Sequence, residues 1–186
     1  LDPDYYIGAC HKWMNGPKGS SFIYTRKELQ NDLNPLVVSW GYEAEFPSYS
    51  QYLDYHQMQG TRDSSAFCVI PEVIAYFKEH NCWEKSAAAK QMILDNYQDL
   101  CDIVGTMPVC PVSPVFLGQM CSIPIPKDYK DPMKLKDRLY DEFKIEIPVS
   151  VSNHDYFIRL STQVYVSQKD VDQLKEALKS IFKTVN

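Results

Sequence analysis

The 186-residue chain is 45% hydrophobic and 23% charged and carries a net charge of −5. That composition is globular rather than disordered, and without a basic run it offers no surface for nucleic acid. No apolar run reaches the roughly 20 residues that span a bilayer, and the opening residues lack a secretory-signal pattern, so a soluble, cytoplasmic protein is expected.

Tyr5 to Ala9 has the apolar character of a short buried strand. It runs into His11-Lys12-Trp13, then a turn marked by Gly16, Pro17 and Gly19, then a second strand over Ser20 to Thr25. A lysine at the end of a strand, before a glycine-rich turn, stands where strands deliver side chains to a cleft. Burial there would favour a reactive free amine, which makes Lys12 a candidate Schiff-base lysine. Lys18, between Pro17 and Gly19 on the turn, is the weaker rival. A strand interior to a parallel sheet needs neighbours on both sides. Too few strands follow to supply them, so the chain reads as the C-terminal half of a larger polypeptide.

A short helical turn is expected from Arg26, ending by Pro35, then a strand or extended segment over Leu36 to Gly41. Residues 43–60 are aromatic and polar without clean periodicity and are expected to form an ordered loop. Gly60-Thr61-Arg62-Asp63 precedes an apolar helical run from Ala66 to Phe77 with Asp63 or Ser64 as N-cap, a place that suits an anion. A long helix follows from about Lys85 to Val104, with Ala89, Ile93, Tyr97, Leu100 and Val104 on one face. The domain boundary is placed at its start, giving domains 1–84 and 85–186.

Three prolines make Val109 to Phe116 irregular. Gln119 to Ile125 is expected as a strand, Pro132 to Phe143 as a helix, and Lys144 to Val151 and Tyr156 to Leu160 as a strand pair. A last helix runs from Ser167, capped with Asp170, to about Lys183. The six cysteines are widely spaced and form no C-x-x-C pair, so neither a zinc site nor a disulfide framework is indicated.

His11-Lys12-Trp13, Pro17-Lys18-Gly19-Ser20-Ser21-Phe22, Ser39-Trp40-Gly41 and Gly60-Thr61-Arg62-Asp63 closely resemble the cofactor-lysine segment of class V aminotransferase-like, pyridoxal-phosphate (PLP) enzymes. The nearest branch is the isopenicillin N epimerase-like group. The resemblance is strongest over residues 4–26 and 39–77, moderate over 144–182 and weak between. It implies an α/β fold: the remainder of a fold-type-I large domain plus a C-terminal α+β small domain. It also implies pyridoxal 5′-phosphate as cofactor, an amino-acid substrate, the N-terminal half of the same enzyme as partner, and a homodimer with a shared active site.

By the same resemblance Lys12 is the catalytic, cofactor-bearing lysine. His11, Gly60 and Thr61 meet the cofactor phosphate, Thr61 from the other subunit, with a lone structural histidine the alternative for His11, and residues 43–60 reach across the dimer interface. Arg159, in Phe157-Ile158-Arg159-Leu160-Ser161-Thr162, grips the substrate α-carboxylate. A buried structural ion pair is the alternative for Arg159. For Arg62 two readings stand, an ion pair with Asp63 or a group facing the substrate.

Two departures matter. Tyr165-Val166-Ser167 stands where relatives often have tyrosine-asparagine-threonine. Residues 144–158 contain no cysteine, which disfavours a cysteine desulfurase or selenocysteine lyase, because no thiol is there to accept sulfur. The expected reaction is therefore proton abstraction at Cα leading to epimerisation, elimination as in a C–S lyase, or transamination. An aspartate for the pyridine nitrogen, a ring-stacking group and a glycine-rich phosphate cup are expected upstream, and the chain alone is expected to be inactive. A non-catalytic paralogue or fragment that keeps a dimerisation surface is the rival reading.

Overall fold

A computed structural model describes residues 1–182, so the expected end of the last helix at Lys183 lies outside the described residues. The chain divides into two compact units, Leu1–Glu79 and His80–Asn186.

In the first unit, β1 (Tyr5–Ala9) and β2 (Ser21–Thr25) pair antiparallel, with Ile7 opposite Ile23. The expected burial of the first strand is not met within this chain. β2 is the only strand paired with β1 among the described residues, and Tyr5, Tyr6 and Ile7 are exposed. The connection from Cys10 to Ser20 is short enough for a hairpin, whereas a parallel pair needs a crossover. The ribbon is tied at its open end by Arg26, which donates to Asp4 Oδ1 (2.7 Å) and pairs with Asp2 (3.1 Å). A 3₁₀ turn follows over Lys27–Asp32.

Leu36 to Gly41 is not a strand. Leu36, Val37 and Val38 are exposed, and the Tyr42 N–H donates to the Ser39 carbonyl (2.9 Å) to make a turn. Within the expected loop 43–60 lies α1 (Gln51–Gln57), started by Ser50, whose Oγ accepts from the Leu53 N–H (3.3 Å). The expected helix over Ala66 to Phe77 is interrupted. One turn, α2 (Ser65–Cys68), precedes α3 (Ile70–Glu79), because Pro71 has no N–H to return to Phe67 and disrupts continuous α-helical bonding through Val69.

The second unit begins with α4 (Cys82–Val104) and holds a three-stranded antiparallel sheet in the order β3 (Met120–Pro124), β5 (Asp155–Ser161), β4 (Val149–Ser152). α5 (Lys134–Phe143) and α6 (Gln168–Phe182) complete it. Strand alternation sends Cys121, Ile123, Val149, Ile158 and Leu160 to one face. There they join Ile93, Tyr97 and Leu100 of α4, Leu135 and Leu139 of α5, and Leu174, Leu178 and Ile181 of α6 in one continuous core. Tyr97 is fully buried yet satisfied: its hydroxyl donates to the Ser122 carbonyl (2.7 Å) and accepts from the Val109 N–H (3.0 Å). Of the expected strand from Lys144 only Val149–Ser152 forms, beyond Pro148.

Candidate functional site

β1 ends at Ala9, so His11 and Lys12 stand on the turn and not in the strand. That turn is set by backbone bonds. The Cys10 N–H donates to the Ser20 carbonyl (3.1 Å), Gly16 N–H to Cys10 (2.8 Å) and Asn15 N–H to Lys12 (3.0 Å). Gly16 is needed here, since a Cβ would stand 2.9 Å from the Cys10 carbonyl oxygen. Lys12 is exposed rather than buried, as is His11. Neither makes a side-chain hydrogen bond or ion pair among the described residues. Lys18 is exposed on the neighbouring turn, where Gly19 takes φ +93°.

Gly60 and Thr61 lie beside the Ser39-Trp40-Gly41 segment, a meeting the sequence does not announce. Gly60 takes φ +99°, and a Cβ there would be 3.6 Å from both Ser39 Oγ and Trp40 Cδ1. The Gly41 N–H donates to the Met58 carbonyl (2.8 Å), which closes the loop that contains α1. Thr61 is exposed and its hydroxyl is unpartnered among the described residues.

The expectation of an anion site at a helix N-terminus is not met in its simple form. α2 is a single turn, and Asp63 Oδ1 already accepts the Ser65 N–H (2.9 Å). Ser65, through its side chain first and this backbone N–H second, holds the Asp63 carboxyl below its ordinary value. Arg62 does not pair with Asp63. It donates to Gln59 Oε1 (2.9 Å) and to the Gln57 carbonyl (3.2 Å), with its guanidinium 4.9 Å from the Phe67 ring centroid. His56 on α1 keeps Nε2 buried without a hydrogen-bond partner among the described residues, its ring 4.9 Å from that of Tyr52.

In the second unit Arg159 occupies the middle of β5, opposite Ser122 of β3. Its neighbours Ile158 and Leu160 enter the core, and Arg159 faces the other side of the sheet, exposed. The buried ion pair offered as its alternative is absent, and no side-chain hydrogen bond or ion pair holds its guanidinium among the described residues. Only its backbone is fixed, the N–H donating to the Pro148 carbonyl (3.0 Å). The strand is anchored just beyond it by buried Thr162, whose hydroxyl donates to the Ala89 carbonyl of α4 (2.8 Å). A planar fork of five donors with no internal acceptor is suited to a carboxylate.

The first unit thus offers a free amine on a rigid turn and a glycine–threonine step on a closed loop. The second offers a free guanidinium on a braced strand. The aminotransferase class-V family model matches residues 1–174. The chain belongs to the aminotransferase class-V family.

Among its curated relatives, isopenicillin N epimerase of Amycolatopsis lactamdurans is 29% identical, over 98% of this chain and 48% of that protein. A probable chloroplastic L-cysteine desulfhydrase of Arabidopsis thaliana is 26% identical, over 97% of this chain and 40% of that protein. Among solved structures, the cystine C–S lyase C-DES, in a variant with glycine covalently linked to its PLP cofactor, has a TM-score of 0.71 at 16% identity, over 96% of this chain and 46% of that one. The chain spans about half the length of the curated relatives it matches. The class-V resemblance and its cofactor, pyridoxal 5′-phosphate, are borne out, as is a mixed α/β chain of the PLP-transferase fold.

Proposed function

We propose that this chain is the C-terminal half of a PLP-dependent class-V enzyme that acts at Cα of an amino acid, with epimerisation or elimination at Cβ as its outcome. The observation that supports this most is Lys12: an unpaired amine on a turn fixed by three backbone hydrogen bonds, within the segment that resembles the family's lysine segment. The residues present fit the cofactor by their chemistry, an amine for the aldehyde at Lys12 and uncommitted donors at Thr61. When bound, pyridoxal phosphate supplies an electron sink conjugated to Cα. Lys12 holds the cofactor aldehyde and afterwards takes and returns the proton at Cα. Gly60, Thr61 and His11 bind the phosphate, and Arg159 fixes the substrate carboxylate with two parallel N–H bonds, which sets the direction of the Cα–H bond.

The same proposal includes domains divided at 84/85, a homodimer in which Thr61 serves the other subunit's cofactor, and a cytoplasmic setting. No helix among the described residues is long and apolar enough to cross a membrane. Residues 144–158 hold no cysteine, which supports epimerase or C–S lyase chemistry over persulfide formation.

Borohydride reduction of the full-length protein with PLP, followed by peptide mass mapping, tests the reading. A pyridoxyl adduct on Lys12 is expected. An adduct on Lys18, or on no lysine, refutes the assignment.

A further inference from the structure

The backbone that carries Gly60 and Thr61 is held from one side by the closed loop and from the other by Arg62. The loop base is the bond from Gly41 N–H to the Met58 carbonyl, and it leaves no room for a side chain at position 41, where a Cβ would overlap the Asp54 carbonyl. The chain then passes through Gln59 and Gly60, the latter in a left-handed conformation. Arg62 reaches back across this step, with Nη1 on Gln59 Oε1 and Nη2 on the Gln57 carbonyl, and its guanidinium faces the Phe67 ring.

Glycine loses more freedom on ordering than any other residue. A fork that ties residue 62 to residues 57 and 59 removes that freedom before a ligand arrives, and such preorganisation strengthens binding without adding a contact. Both side-chain hydrogen bonds of Arg62 point into its own loop, which leaves the Thr61 hydroxyl as the free group among the described residues. We propose that Arg62 is a positioning residue of the phosphate subsite: it braces Gly60–Thr61 through Gln57 and Gln59 and does not bind substrate. This rests on the function proposed above.

The test is titration of the full-length protein with pyridoxal 5′-phosphate and, separately, with pyridoxal, which lacks the phosphate. Arg62→Ala should raise the Kd for the phosphorylated ligand about tenfold, a charge-assisted pair's worth, and change that for pyridoxal less than about twofold. Arg62→Lys, which keeps the charge but has no fork, should not restore binding. Gln59→Ala should weaken the phosphorylated ligand in the same selective way, and the double variant should be no weaker than Arg62→Ala alone. If Arg62→Ala does not fold, the Lys and Gln59 variants carry the test. Full affinity in Arg62→Lys together with full affinity in Gln59→Ala would make Arg62 a direct charge partner and overturn the bracing role. Equal loss for both ligands would overturn it as well. Wild-type protein that binds neither ligand would refute the functional reading itself, a separate failure.

Discussion

Ile93, Tyr97, Leu139 and Ile158 are fully buried in the unit from His80, whereas Ile7, Leu36 and Trp40 of the first unit are 70%, 101% and 79% exposed. The second unit gathers most of its buried apolar side chains into one core, while the buried residues of the first include Ser20, Thr25 and Asp54, groups held by hydrogen bonds. Arg159 stands on a strand whose far face is packed. Lys12 and Thr61 stand on loops whose shape is set by backbone hydrogen bonds and by glycines. Order at Lys12 and Thr61 therefore depends on individual polar bonds, and order at Arg159 on the packing of an entire domain.

The sharpest separation of site from stability comes from Lys12→Ala in the full-length enzyme. Turnover should fall about 10²–10⁴-fold, the ordinary worth of a general base, with no change in thermal unfolding of the cofactor-free protein. A lowered Tm would show that Lys12 helps hold the fold. Ile158→Ala should cost about 2–5 kcal/mol in urea denaturation of the 186-residue chain, through lost burial and the cavity left behind. Ile7→Ala should stay within about 0.5 kcal/mol, and equal costs would erase the contrast between units. Tyr97→Phe strands the Ser122 carbonyl and the Val109 N–H and should cost about 1–3 kcal/mol by the same measurement.

The smallest effects are those of pH. Burial raises the Cys101 and Cys121 thiols to about 12 from 9.0. The stability from keeping them neutral is complete below pH 9.0 and is lost as pH rises towards 12. A thiol reagent at pH 8 should label exposed Cys68 at once and Cys101 and Cys121 only on unfolding. At the other extreme Asp170, which accepts the N–H and hydroxyl of Ser167 (2.8 and 2.7 Å), lies below its ordinary 3.8. Its contribution is complete above pH 3.8 and fades as pH falls through the lower folded value. Helical circular dichroism followed down from pH 5 should therefore hold to about pH 4, and Ser167→Ala should cost about 1 kcal/mol at neutral pH.

Legibility followed the same division. Ala89, Ile93, Tyr97, Leu100 and Val104 of α4 are all buried, as their spacing predicts, because a helix that covers a core must repeat with the turn of the helix. The Ser167–Asp170 cap was legible too, although Ser167 donates to Asp170 Oδ2 instead of accepting from the helix. In the first unit the apolar run from Leu36 to Gly41 predicts a strand or extended segment, but no partner strand stands there among the described residues, and Pro71 breaks a pattern that predicts one helix. α1 was missed for want of an apolar stripe, although Ser50 was a usable start signal. Lys12, Thr61 and Arg159 are singled out by resemblance. The fork of Arg62 was not legible, since spacing cannot say which carbonyl a guanidinium will reach.

The turn between β4 and β5 has a kinetic consequence. Asn153 and His154 both take positive φ, 49° and 68°, so the central strand of the sheet acquires its first neighbour by closing a two-residue connection. β3 must be recruited across the intervening helix. Contact order then sets the sequence of events, because short loops close at small entropic cost and long ones wait. His154→Gly, which relieves the left-handed strain in that turn, should speed refolding of the second unit while leaving its unfolding rate nearly unchanged, a pattern that stopped-flow chevrons resolve.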